Sequence, residues 1–353
     1  MDQHRSRRTL LKVAGGGLIG VALGGNKGQT APRQPYCIGF LSPINSGQDT
    51  ELVGHQHNPQ GDSPRSLALR QGLRDLGYVD GENLDLEYRA ALNPRRQVEY
   101  AVELAKLPVD VMVAGGAAAT AAVQAGKTSP IVRKTPIVIL VGGDPVAAGL
   151  VTNLEHPGGN VTGLHGSLTD SVAKGLRLLK QAVPRVSHVA ALGYRVNPLT
   201  LQAPFDAMRE TAKKLGIRLD RLEAQTPDEL TSALDSIIRS GANGFQYVQA
   251  GAQFGLDPNA ARVVNWANAH GLPAAYCYQE FVDGGGLMAY TWDHTDQWRR
   301  AAGYIDKILR GAYPGDLPVE GARKFDFMIN LKTARTLGLT IPRSVLDQAS
   351  LIQ

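Results

Sequence analysis

Short runs of bulky apolar residues alternate along this chain with longer stretches in which apolar residues recur at helical spacing. The short runs read as buried parallel strands and the longer stretches as covering helices. Ile38–Leu41, Leu84–Tyr88, Asp110–Ala114 and Pro136–Val141 are strands on this reading. Helices over Ser63–Leu76, from Asn93-Pro94 to Leu107, and over Ala117–Gln124 separate them, with Leu67, Leu73 and Leu76 on the apolar face of the first. The fourth run breaks at Gly142-Gly143-Asp144-Pro145, and a second break follows at Pro157-Gly158-Gly159-Asn160. The first break reads as a loop at the carboxyl end of a strand, and Pro157–Gly163 as a crossing into another lobe.

After Gly163 the same grammar repeats. Strands are expected at Val189–Leu192, Ile217–Leu222, Phe245–Val248 and Pro273–Tyr276. Helices are expected over Lys174–Val183, Leu199–Leu215, from Thr226 to Arg239, and from Asp257-Pro258 to His270. Thr226-Pro227-Asp228-Glu229 carries a strong helix start, with a capping hydroxyl, proline at the first helical position and a glutamate three residues on. A further strand at Leu287–Ala289, a helix over Thr295–Leu309, a strand at Phe325–Ile329 and a short helix over Leu331–Leu337 complete the pattern. The fold class is therefore α/β, with two Rossmann-like lobes of parallel sheet covered by helices and a cleft between them.

Composition narrows the function. With 353 residues and 43% hydrophobic positions, the chain is long enough for two domains. Its net charge of +5 suggests a nucleic-acid partner only until the charges are placed. Arg5, Arg7, Arg8, Lys12, Lys27 and Arg33 face only Asp2 in the first 33 residues, and the remaining 31 basic and 31 acidic residues balance. No basic face is left for nucleic acid. Ser6-Arg7-Arg8-Thr9-Leu10-Leu11-Lys12 precedes an uncharged, weakly apolar run from Val13 to Asn26, too mild for a spanning helix. It resembles a twin-arginine export signal. Residues 1–35 are read as signal and tether, with folded sequence from Tyr36 and localisation in the periplasm. The 2 cysteines, Cys37 and Cys277, read as separate buried thiols.

The chain shows no G-x-S-x-G elbow, no H-E-x-x-H, no Walker A, no paired-Cys metal spacing and no early G-x-G-x-x-G. His55 and His57 lack further ligands nearby, so no metal or other cofactor is expected. Asp293-His294 is a candidate acid/base or ligand-binding pair, but it also opens a helix, where a carboxylate caps orphan amides. Glu280 is open to the same two readings. Tyr194, Tyr247, Tyr276 and Tyr290 are candidates for stacking on a flat ligand, or else ordinary core. Capture without turnover fits best, because amides and hydroxyls at strand ends take a carboxylate while an Asp or Glu takes an ammonium.

Six segments carry a resemblance: Ile38–Pro43 (IGFLSP), Leu69–Asn83 (LRQGLRDLGYVDGEN), Gly142–Leu150 (GGDPVAAGL), Pro157–Leu164 (PGGNVTGL), Glu280–Tyr290 (EFVDGGGLMAY) and Phe327–Pro342 (FMINLKTARTLGLTIP). In that order they resemble ABC transporter substrate-binding proteins related to tryptophan- and tyrosine-binding proteins, with the type I periplasmic binding fold. The resemblance implies a non-enzymatic receptor that closes on a small solute, an amino acid or a small aromatic or amide compound. It implies a monomer whose partner is an ABC permease in the inner membrane. A ligand sensor of the same fold and, more remotely, a two-lobed enzyme are the alternatives. Three crossings between lobes are implied, hence a first lobe of residues 36–157 plus 287–315 and a second of 158–286 plus 316–353. Matched by position, the ligand-binding candidates are Ser42, Gly116, Thr120, Asp144, Asn197, Gln249 and Asp293, with Pro145 shaping the Asp144 loop. Two departures bear on the ligand: the polar stretch Asn45–Ser63 is long, and Ala250–Leu256 is rich in glycine.

Overall fold

The computed structural model describes residues 35–42, 52–55, 64–91, 93–194, 198–249 and 259–353, of which 52–55, 198–200 and 249 are described by backbone alone. The first half runs β1 (Tyr36–Ser42), β2 (Leu52–His55), α1 (Pro64–Asp75), β3 (Leu84–Ala90), α2 (Pro94–Lys106), β4 (Val111–Gly115), α3 (Ala117–Thr128), α4 (Pro130–Lys134), β5 (Ile137–Val141) and β6 (Val161–His165). Then come α5 (Leu168–Ala182), β7 (His188–Tyr194), α6 (Pro198–Leu215), β8 (Arg218–Ala224), α7 (Pro227–Ser240), β9 (Gly244–Gln249), α8 (Ala260–Ala269), β10 (Ala274–Tyr276), α9 (Gln279–Asp283) and β11 (Met288–Trp292). The chain ends with α10 (His294–Leu309), a 3-10 turn at Pro314–Asp316, β12 (Glu320–Gly321), β13 (Phe325–Asn330), α11 (Leu331–Thr336), α12 (Arg343–Leu346) and β14 (Ser350–Ile352).

These strands form two seven-stranded sheets, ordered β12-β6-β5-β4-β1-β3-β2 and β14-β13-β11-β10-β9-β7-β8. Both are parallel except where β2 pairs with β3 and β13 with β11. Burial explains why the strands read as continuous apolar runs. In the first sheet Ile38, Val111, Val113, Val138 and Leu140 pack with Leu69 and Leu73 of α1 and Trp298 and Ile305 of α10. The alternate residues Leu41, Met112, Ala114, Ile137 and Ile139 pack with Tyr100 and Leu104 of α2 and Ala118 and Ala122 of α3. Each strand thus feeds two cores at period two. On α1 the buried stripe is Leu69 and Leu73, while Leu67 and Leu76, expected to face inward, are exposed. The helix packs along α10, and that neighbour selects the stripe.

The sheets divide the chain at other places than the sequence-based boundaries at 157, 286 and 315. Strand β6 joins the first sheet beside β5, with Ile137 opposite Val161 and Val141 opposite His165. Pro157–Asn160 is therefore a return within the first lobe. Asn160 pins it, donating its Nδ2 to the carbonyls of Val132 and Thr135. Strand β11, expected in the first lobe, pairs with β10 and β13 in the second sheet, where Met288 and Ala289 are core residues. Strand β12 belongs to the first sheet, beside β6. The chain passes between sheets after β6, after β11 and after β12, which makes three crossings at 166–167, 293 and 322–324.

Candidate functional site

Chain order locates the switch point of each sheet. In the first sheet β1 pairs with β3 on one side and β4 on the other, so the winding direction reverses between β1 and β4. In the second, β7 pairs with β8 and β9, and the reversal falls between β7 and β9. At such a switch point the following connections leave to opposite faces and open a crevice beyond the strands' carboxyl ends. The first crevice is bordered by Ser42 and Gly116, the second by Tyr194 and Gln249, which pair in register.

The two carboxyl edges meet at an aromatic cluster. Trp292, at the end of β11, is fully buried although it reaches across to the first lobe. A Cβ on Gly142, which follows β5, would lie 2.9 Å from Trp292 Cη2 and 3.3 Å from Tyr278 Oη. A Cβ on Gly166, at the first crossing, would overlap the same indole. Both glycines are needed for this close approach. Tyr278 meets Trp292 edge to face at 5.5 Å, and His294 lies 4.5 Å from Trp292 and 5.6 Å from Tyr278, centroid to centroid. Burial holds His294 well below the usual histidine range, and the nearby Arg65 guanidinium adds to it. Burial also pushes the Tyr278 hydroxyl well above its ordinary value, with Glu280 adding to the shift.

Gln297 ties the crossings together from beneath. Its Nε2 donates to the carbonyls of Val141 (3.1 Å) and Leu164 (3.2 Å), at the ends of β5 and β6, and its Oε1 accepts from Trp292 Nε1 at 3.2 Å. The Asp293 amide donates to the Lys324 carbonyl at 2.9 Å, linking the second crossing to the third. Buried amides bonded on both sides form rigid joints. An ion pair also joins the lobes: Arg65 near the start of α1 donates Nη2 to Glu280 Oε1 in α9.

The structure gathers Ser42, Gly116, Asp144 and Pro145 on the carboxyl edge of the first sheet, and places Thr120 in the first turns of α3, exposed to solvent. The Gly116 amide is spent on the Leu140 carbonyl at 2.9 Å. Asp144 Oδ1 accepts from the amides of Val146 (2.8 Å) and Ala147 (3.2 Å), an Asx turn that shapes its own loop. Asp293 sits at the second crossing and caps α10, accepting the Asp296 amide at 2.9 Å. Gln249 ends β9, and Asn197 lies outside the described residues. Tyr194, Tyr247 and Tyr276 are core rather than exposed stacking platforms, and Tyr290 stacks on Phe325 at 5.5 Å. Sequence reasoning passed over Tyr278, Trp292, Gln297 and Arg65. The signal within reach was the Gly142 and Gly166 pair, each following an apolar strand. Both cysteines are free thiols. Among the described residues no group of three or more His, Cys, Asp or Glu could hold a metal ion.

Two α/β lobes, three crossings and two switch points on edges that meet at Trp292 define a bilobal ligand-binding protein with the type I periplasmic binding fold. Residues 64–352 match the model of the ABC transporter substrate binding protein family, and the chain belongs to that family. It is similar to the tyrosine-binding protein of Clostridioides difficile (strain R20291), 26% identical over 291 residues, which covers 82% of this chain and 80% of that relative. Among solved structures, a conserved domain protein from Vibrio cholerae superposes with a TM-score of 0.73 at 26% identity, covering 91% of this chain and 100% of that one. The ABC domain from Streptococcus pneumoniae in complex with L-Trp gives a TM-score of 0.74 at 22% identity, with the same coverage. No helix among the described residues is long and apolar enough to cross a membrane.

Proposed function

We propose that this protein is the extracytoplasmic capture component of an ABC-type importer. On this reading it is exported to the periplasm by its twin-arginine signal, binds an amino acid or a related small aromatic or amide compound between its lobes, and closes on it. The closed monomer then delivers the solute to an inner-membrane permease, without chemical turnover or cofactor. The observation that carries the reading is the placement of both switch points on the edges that meet at Trp292. Membership of the family supports it, as does the relative named for tyrosine.

The proposed binding set is Ser42, Gly116, Thr120, Asp144, Pro145, Asn197, Gln249 and Asp293. Asp144 is its most informative member. Its Oδ1 holds the turn, so the charge of the carboxylate is available to an ammonium group. Replacing Asp144 with Asn keeps an oxygen for the turn and removes the charge. Loss of one charge-assisted bond costs roughly 1.5–3 kcal/mol, about tenfold to a hundredfold in affinity. Calorimetric titration of Asp144→Asn with L-tyrosine is expected to show that loss at an unchanged melting temperature. Unaltered affinity would place the ammonium elsewhere.

A further inference from the structure

The Arg65–Glu280 pair joins residues 215 positions apart, one on each lobe. Its side chains are 15% and 34% exposed. Tyr278 and His294, both buried, stand close enough to feel its charges. Partly buried, the pair is less screened than an ordinary surface pair and more sensitive to geometry. It is also incompletely satisfied: Glu280 Oε2 is closed off from solvent and has no hydrogen-bond partner. A carboxylate oxygen withdrawn from water without a donor carries a desolvation cost that offsets part of the attraction. Such a contact is too weak to lock two lobes together, yet strong enough to shift an equilibrium between two arrangements that are close in free energy.

We propose that the Arg65–Glu280 ion pair is a clasp between the lobes that sets the resting fraction of closed protein, and through it the affinity for ligand. This rests on the closure reading above and adds a residue pair that acts without touching the solute. In the proposed clasp, opening about the three crossings carries α9 away from the start of α1, so that the pair is made in the closed arrangement and broken in the open one. Because closure precedes or accompanies capture, a clasp scales the affinity for every ligand by the same factor. A residue touching the ligand changes one ligand's affinity more than another's.

The test has two independent arms. In the first, small-angle scattering measures the radius of gyration of the ligand-free protein at about 20 mM and 1 M salt, a range over which charge pairs are progressively screened. The unmodified protein is expected to expand at high salt. Glu280→Gln and Arg65→Gln are expected to be expanded at both concentrations, and the reversed pair Arg65→Glu with Glu280→Arg to recover compactness. In the second arm, calorimetry gives the affinities of L-tyrosine and L-tryptophan. Each single variant is expected to weaken both by the same factor, roughly threefold to tenfold. An unchanged radius of gyration in the single variants at both salts would overturn the clasp. So would loss of affinity for one amino acid alone, which would make Glu280 a ligand contact. Should a single variant fail to fold, the salt response of the unmodified protein decides, and a constant radius would again overturn it. Failure of both amino acids to bind would count against the proposed function and leave the scattering result standing on its own.

Discussion

His294 illustrates how a residue's neighbours decide its chemistry. Beside Asp293 in sequence it has the look of an acid/base partner, but in the fold Asp293 turns its carboxylate to the Asp296 amide and His294 enters a ring cluster with Trp292 and Tyr278. The neutral form is therefore the one the fold holds. The unfolded chain takes up a proton at this position below about pH 6.5, whereas the folded chain does not. Stability from this group is present in full above that pH and is lost as the pH falls through it, by up to about 1.4 kcal/mol per unit. Urea unfolding at pH 7.5, 6.5 and 5.5 is expected to show that decline, and His294→Phe to flatten it. In Asp220 and Glu320 burial pushes the carboxyl up, but bonds to His188 and to Arg300 leave it below the usual range. Those groups contribute to acid loss only below about pH 4, outside this window. The capping role of Asp293 was one of three readings open in the sequence. The ring cluster was not legible, because it joins residues whose separation only the crossings close.

At the scale of elements, the strands written as continuous apolar runs were legible, and so were the helices with explicit caps. Helix α7 starts after Thr226, whose hydroxyl accepts the Glu229 amide at 3.2 Å, while Glu229 Oε2 accepts from the Gln225 amide at 2.7 Å. What the local pattern missed were elements that depend on a distant neighbour. Strand β2 lies in a stretch whose composition is that of a loop and is held as an edge against β3. Strand β14 depends on β13. The start of strand β6 fell inside Pro157–Gly163, which read as a crossing because of the Pro157-Gly158-Gly159-Asn160 break. In the fold Gly163 has φ +146° and lies against Ile139 of β5, where an added Cβ would overlap the Ile139 carbonyl oxygen. The glycine marks a close strand approach, not a break. Gly163→Ala is expected to cost about 3 kcal/mol or more, since the clash is with backbone that cannot yield without separating β5 from β6. Denaturant unfolding measures this, and an unchanged midpoint would show that the two strands separate easily.

For the whole molecule, the sequence pattern and the six family-like segments together pointed to two lobes, and the sheets place the boundaries between them. The candidate site follows the same division. Ser42, Gly116 and Gln249 were named from their positions in the family resemblance, and the sheets place them at the carboxyl ends of strands, the first two on one sheet and Gln249 on the other. The cluster joining the two edges was not, because Gly142, Gly166, Tyr278, Trp292 and Gln297 come together only once three crossings are threaded. That junction gives the proposed closure a physical pivot: Trp292 rests on two glycines, and Gln297 bonds the ends of β5 and β6. Motion of one lobe against the other about such a pivot is the hinge movement by which bilobal receptors enclose a solute. The most direct measurement is a calorimetric titration of the protein from Tyr36 onward with L-tyrosine, L-tryptophan and L-phenylalanine after partial unfolding and dialysis to remove any carried ligand. The account predicts saturable one-to-one binding of at least one of them, with a negative heat-capacity change from the surface buried as the lobes close. Absence of binding heat for all three at two temperatures, from protein that has refolded to its native melting point, would contradict capture of an aromatic amino acid.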